Sequence, residues 1–324
     1  MTQPGSRSNE YRASLLAIWS ALTVVYLVWG STYLAIRFAV ETTPPFLMAA
    51  ARFIVSGSCL LVWRRAAGDA KPTLLEWRNA AIIGFFLLVG GNGGVVWAAQ
   101  FIPSSLSALL VTTVPLWMVL IDTLRPSGAR PGFKSALGIL IGFCGAALLI
   151  GWSAANAGAM NLAGAAAVVL ASIFWAIGSL YGRNAPLPAS LLLATGMEML
   201  SGGIAQIFIA LALGELSSFD PAAVSQRSAL ALVYLTVIGS CAFVAYAWLL
   251  RVAPTPLVAT YAYVNPLVAV LLGYFLADEP MSARTLLAAG LVIGSVVLVS
   301  SEKRGAPEPA DGPVKGFAVT SKSP

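Results

Sequence analysis

Two charges stand where charge is expensive. Arg52 and Glu198 each lie in the middle of a long apolar run, PFLMAAARFIVSGSCLLVW for the first and LLLATGMEMLSGGIAQIFIALA for the second. A charge at that depth of a membrane helix costs about 2.5–3.5 kcal/mol on insertion scales, so the side chain should face the protein interior or a wet cavity. Three kinds of chemistry fit the two residues. They can form a salt bridge that closes or braces a cavity. Arg52 can hold a substrate carboxylate while Glu198 holds an amine or a proton. Or they can form a buried pair that fixes helix packing without meeting substrate.

Other groups with chemical potential sit at helical spacing. Tyr26, Trp29, Tyr33 and Arg37 share one helix face, as do Ser172, Trp175, Ser179 and Arg183. Such aromatic faces can stack on a planar or cationic solute, or simply pack helix against helix. Arg37 and Arg183 fall near helix ends, where snorkelling is the default explanation. Thr112, Thr113 and Pro115 in one run, and Tyr261, Tyr263, Asn265 and Pro266 in another, combine hydroxyl or amide groups with a proline. Proline frees the carbonyl four residues back, that of Val111 or Ala262. Pro115 and Pro266 are therefore candidate hinges, or static kinks. Gly90-Gly91-Asn92-Gly93-Gly94 has no strand before it and no Lys-Ser/Thr after it, so it is not a phosphate loop. Inside a membrane helix its small residues allow close backbone contact. Asn92 then either bonds across helices, the favoured reading, or lines a cavity.

The absences narrow the chemistry. There is no histidine, which removes the usual metal ligand and proton shuttle. Cys59, Cys144 and Cys241 fall inside apolar runs, at spacings that fit neither a zinc site nor a disulfide framework. No Asp-rich motif and no nucleophile–base pair is evident, so a membrane-embedded lipid-modifying enzyme is disfavoured. No metal, cofactor or enzymatic activity is expected.

These residues must be positioned by membrane helices. Of 324 residues 58% are hydrophobic and only 10% charged, with mean hydropathy +0.84. A soluble domain carries about 25% charge, so lipid is the main solvent of this chain. Apolar runs lie near 15–39, 45–63, 79–99, 104–122, 134–151, 162–182, 189–213, 228–250, 255–276 and 283–300. Each is long enough to cross roughly 30 Å of hydrocarbon. The first is too long for a signal-peptide core and reads as an uncleaved helix. A polar segment, 1–13, precedes it, and a Pro/Gly/Lys-rich tail, 302–324, reads as disordered. The net charge of +6 reads as topology, not nucleic-acid binding. Arg7, Arg12, Arg64, Arg65, Lys71, Arg78, Arg125, Arg130, Lys134, Lys303 and Arg304 all fall on one side, while 101–103 and 152–161 carry no Lys or Arg. Both termini are therefore expected in the cytoplasm.

The chain also resembles itself. At an offset of 146, Trp29 meets Trp175, Arg37 meets Arg183, Gly57 meets Gly203 and Arg52 meets Glu198. At an offset of 151, Trp97 meets Trp248, Pro103 meets Pro254 and Pro115 meets Pro266. Trp and Pro are rare enough that chance alignment of apolar sequence is a poor explanation. Five helices per half, an odd number, makes the second copy inverted. The fold expected is an all-α membrane protein of ten transmembrane helices in two inverted five-helix repeats, 14–151 and 162–300. Such repeats place a substrate site near the bilayer midplane.

Trp29-Gly30-Ser31-Thr32-Tyr33 with Pro44-Pro45 and Arg52, Phe174 to Ser179, Ser104 to Pro115, and Ala259 to Pro266 resemble the signatures of the EamA family of the drug/metabolite transporter superfamily. Gly90 to Gly94 and Glu198-Met199-Leu200 are similar to its YedA-like branch. The resemblance covers about residues 14–300. It implies a multi-pass protein of the bacterial inner membrane that transports small metabolites or drugs, often as efflux. The reading is a secondary active permease working by alternating access, with an amino acid or related zwitterion favoured as cargo. A facilitative channel or structural membrane protein is the alternative. The candidate substrate-binding or gating residues are Arg52, Glu198, Trp29, Tyr33, Trp175, Asn92, Thr113, Tyr261, Tyr263 and Asn265. The expected partners are a small-molecule substrate, the lipid bilayer and, if transport is proton-coupled, protons through Glu198, with the chain acting as a monomer or dimer.

Overall fold

A computed structural model describes residues 15–124, 132–157, 159–183, 185–253, 255–258 and 260–301. The 1–13 segment, Arg125, Arg130, the 302–324 tail and the side chain of Tyr263 lie outside the described residues. Among the described residues there is no strand. The main helices are α1 (Leu15–Ala39), α2 (Pro45–Ala66), α3 (Leu74–Ala98), α4 (Ser104–Thr123), α5 (Phe133–Ala157), α6 (Ala159–Gly182), α7 (Leu191–Ala212), α8 (Gln226–Val252), α9 (Tyr261–Ala277) and α10 (Ala283–Ser301). Eight described helices are long and apolar enough to cross a membrane; Phe133–Leu148 and Val264–Ala277 are shorter apolar stretches. Large apolar side chains such as Leu16, Leu27, Phe208, Leu230 and Phe275 point outward, as a lipid-facing surface requires.

Small residues set the helix contacts. α2 packs on α7, α5 on α10, α1 on α8 and α9, and α6 on α3 and α4. A Cβ on Gly57 would sit 2.6 Å from the Leu200 nitrogen, and one on Gly203 would sit 2.9 Å from the Ile54 nitrogen. Backbone therefore touches backbone, the arrangement that small residues permit in membranes. Numbers rising along α2 meet numbers falling along α7, since Leu60 lies against Gly196 and Ile54 against Gly203. The two helices run antiparallel. In the same way Gly138 faces Val299 and Gly145 faces Val292 across α5 and α10.

Three helices depart from the regular form expected of them. Residues 85–92 of α3 are π-helical, a widened turn that leaves carbonyls in need of partners and that recurs at functional sites. Gln206 of α7, fully buried, donates from Nε2 to the Leu88 carbonyl there at 2.7 Å. α4 is broken at Thr112–Thr113, with Pro115 in the first turn of its second piece, a position that spares the missing N–H. The hydroxyls of Thr112 and Thr113 bond back to the carbonyls of Ala108 (3.0 Å) and Leu110 (2.7 Å), which patches the break. The run expected as one helix over 255–276 is divided into Thr255–Val258 and α9, whose interior contains Pro266. Apolar periodicity reports lipid contact, not ladder continuity, so it passes over all three irregularities.

Candidate functional site

The irregular parts of α3, α4 and α9 converge on one cavity of about 920 Å³, its opening included. Trp29 and Tyr33 come from α1, Arg52 from α2 and Asn92 from the π-turn of α3. Thr112 and Pro115 come from the break of α4, Trp175 from α6, and Tyr261, Asn265 and Pro266 from α9. Most of the sequence candidates therefore lie on one surface. Trp29 is the hub of an aromatic wall, with ring centroids 5.2 Å from Phe243, 4.8 Å from Tyr246 and 5.2 Å from Tyr261. Asn265, with its amide turned so that nitrogen faces carbonyls, donates from Nδ2 to the Tyr26 and Tyr261 oxygens at 3.2 Å each. This ties α9 to α1 beside Pro266.

Two polar groups in this cavity are left over. Arg52 is only 3% exposed, and its Nη1 has no hydrogen-bond partner. Its Cζ lies 4.5 Å from the centroid of the Phe53 ring, a cation–π contact that cannot replace an acceptor. Asn92 Oδ1 is likewise buried and unpaired. The expectation that Asn92 bonds across helices is thus corrected, because the π-turn aims it at the cavity. Buried polar groups are nearly always paired, so two orphans on one cavity mark a place for something else to bind.

Glu198 does not join them. It is half-buried on α7, its backbone carbonyl against Gly84 of α3, and it is not among the cavity-lining residues. It forms no ion pair with Arg52; the ion pairs among the described residues include Arg37–Glu279, Arg64–Asp69 and Arg227–Glu41. The reason is geometric. Antiparallel packing matches Ile54 with Gly203 and Gly57 with Gly196 to Leu200, so Arg52 lies level with the part of α7 beyond Gly203, more than a helical turn from Glu198. Thr113 is also off the cavity, buried against its own helix, and Thr112 takes its place.

A second polar constellation was not singled out in the sequence. α2 and α4 begin after Pro44 and Pro103, which offer no side-chain cap. Carboxylates from distant loops supply it. Glu215 accepts from the backbone N–H groups of Phe46 (3.3 Å) and Leu47 (2.8 Å). Glu279 accepts from the Ser104 nitrogen and hydroxyl at 2.7 and 2.8 Å, and from those of Ser105 at 3.0 and 2.5 Å. Arg37 also donates to Glu279, so its role is an ion pair and not the snorkelling expected. Burial pushes the Glu279 carboxyl up, but the bonds from Ser105 and Ser104 outweigh it and hold it below its ordinary range. Asp278-Glu279-Pro280 reads in sequence as an ordinary polar turn. A cap delivered from 175 residues away leaves no local signal.

The EamA-like transporter family model matches residues 15–151 and again residues 162–301. The chain belongs to that family. It is 39% identical over 295 residues to YedA of Escherichia coli strain K12, an uncharacterized inner membrane transporter, spanning 89% of this chain and 92% of that protein. It is 25% identical over 281 residues to protein PecM of Dickeya dadantii, covering 84% of this chain and 88% of that one. A solved crystal structure shares the fold at 20% identity with a TM-score of 0.60, covering 88% of this chain and 98% of the other. With its apolar helices and its family, this EamA-like chain is a membrane transporter.

Proposed function

We propose that the chain is a secondary transporter that moves a small organic solute across a bacterial inner membrane by alternating access. Its ten helices form two inverted repeats, and the midplane cavity is the solute site. The observation that carries this reading is the pairing of cavity-lining residues between the two matched halves. Trp29 and Trp175 are partners at the first offset; Asn92 and Phe243, Val111 and Ala262, Val114 and Asn265, and Pro115 and Pro266 are partners at the second, and all of them line the cavity. The helix contacts follow the same pattern, since α1 meets α8 and α9 as α6 meets α3 and α4. A site shared by two inverted halves can be opened to either side by rocking one against the other. Basic residues concentrate where α2 ends and α3 begins, which supports a cytoplasmic N-terminus. The Glu215 and Glu279 caps then close the outer end. Export is the direction carried over from the family resemblance. A zwitterionic cargo loses its main support, because Glu198 does not line the cavity with Arg52.

The test is exchange from proteoliposomes loaded with a mixed pool of small metabolites, read by mass spectrometry. At least one solute should leave saturably and faster in the presence of the same solute outside. Release no faster than from protein-free liposomes contradicts the reading. Rates without saturation indicate a channel and contradict it equally.

A further inference from the structure

The cavity that serves the proposed transport also constrains the charge of what it carries. Among the described residues Arg52 is the only charged one lining it, and no described Asp or Glu shares the surface. Its guanidinium is buried with Nη1 unpaired. A buried cation without a counter-charge is costly unless something compensates it. The compensation available is a ligand oxygen, and an anionic one is the stronger partner because both charge and hydrogen bond are satisfied together. The second orphan, Asn92 Oδ1, is an acceptor and asks for a donor. An ammonium could serve as that donor, but it would bring a second positive charge into a cavity that already holds one and contains no acid. A hydroxyl or amide N–H serves without that penalty. Of the rest of the lining, Thr32, Thr112, Ser172 and Asn265 already bond to backbone carbonyls, and the other residues, led by Trp29, Tyr33, Trp175 and Tyr261, are mostly aromatic or apolar and suit an apolar or aromatic body.

We propose that the solute is an organic monoanion: a carboxylate-type group on Arg52, a neutral hydrogen-bond donor near it on Asn92, and an aromatic or apolar body against the tryptophan wall. This assignment rests on the transport reading for its physiological meaning, but binding can be measured without transport. Four probes share one phenyl body and differ only in charge and donor: 2-hydroxy-3-phenylpropionate, 3-phenylpropionate, phenylalanine and phenethylamine. Binding to the purified full chain is measured by calorimetry. The hydroxy acid should bind most tightly, and at least about tenfold more tightly than phenylalanine or phenethylamine, the scale of one charge-assisted hydrogen bond. Arg52→Gln should lose at least about tenfold for both acids, and Asn92→Leu should erase the preference for the hydroxy acid over 3-phenylpropionate. The four-probe order on the unaltered chain stands even if a variant fails to fold. The proposal is overturned if phenylalanine or phenethylamine binds as tightly as the hydroxy acid, if none of the four binds, or if a folded Arg52→Gln retains the acids. If no probe binds while proteoliposomes still exchange other solutes, the anion assignment falls and the transport reading stands. If the acids bind but no solute crosses, the assignment stands and the transport reading falls.

Discussion

Replacing Glu279 by Gln should loosen the start of α4 far more than replacing Arg37, although the two residues form one ion pair. The Glu279 side chain is 3% exposed, and its two oxygens accept four bonds from Ser104 and Ser105 besides the one from Arg37. A glutamine there turns an NH2 group toward two serine donors, so at least one buried backbone N–H loses its acceptor. The loss of charge-assisted bonds and the unsatisfied group together amount to roughly 3 kcal/mol. Arg37 is 34% exposed, so water replaces part of what it loses. Glu279 also keeps its serine bonds without it. Arg37→Gln should therefore cost about 1 kcal/mol, the upper range of an exposed pair. Hydrogen–deuterium exchange at the Ser104 and Ser105 amides reads this directly. Their exchange should accelerate about 100-fold in Glu279→Gln and about fivefold in Arg37→Gln. Equal acceleration in both variants, or amides still protected in Glu279→Gln, would refute the cap argument.

Three further outcomes follow from the same structure. Gly57→Leu should separate α2 from α7, because a Cβ there already lies 2.6 Å from a backbone nitrogen and 2.8 Å from the Gly196 carbonyl. Thermal unfolding in detergent should show a loss of about 1–3 kcal/mol or more, and an unchanged midpoint would contradict the packing. Asp69, in the turn after α2, is pushed down to about 2, first by its hydrogen bond from Arg64 and then by that from Ser190. A depressed carboxyl stabilises above its unfolded value near 4 and loses that contribution as pH falls toward 2. Amide exchange in the Gly68–Thr73 turn should thus be unchanged by Asp69→Asn at pH 2 and faster in the variant at pH 6; equal exchange at both pH values would contradict the assignment. Glu198→Gln should leave solute affinity within about twofold, since Glu198 does not line the cavity. A tenfold loss measured by calorimetry would return Glu198 to the site.

Much of this was legible in residue types. The apolar runs located α1 and α2 to within a few residues, because lipid imposes one strong rule on every spanning helix. Rare residues did the rest: Trp29 and Trp175, Pro115 and Pro266 were singled out by spacing, and all four line the cavity. What could not be read was long-range pairing. Arg52 and Glu198 match in the alignment, yet the antiparallel crossing of α2 and α7 sets them apart. In sequence Gln206 is one polar residue in an apolar run, and only the fold gives it a partner, the Leu88 carbonyl in the π-turn of α3. In sequence Glu279 and Glu215 are acids in connections between apolar runs. Their role as caps depends on Pro44 and Pro103 being unable to cap, and on a fold that brings distant loops to those helix ends.

Alternating access requires a cavity between two halves that opens to each side in turn. Val111 and Ala262 are partners at the second offset and both line it. The direct measurement places a single cysteine at one or the other, in a chain with Cys59, Cys144 and Cys241 replaced by serine, and labels it with a membrane-impermeant maleimide in vesicles of both orientations. Each site should be reached from both sides, and the solute found in the exchange assay should slow labelling at both. Labelling confined to one orientation at both sites, whether or not solute is present, would contradict it.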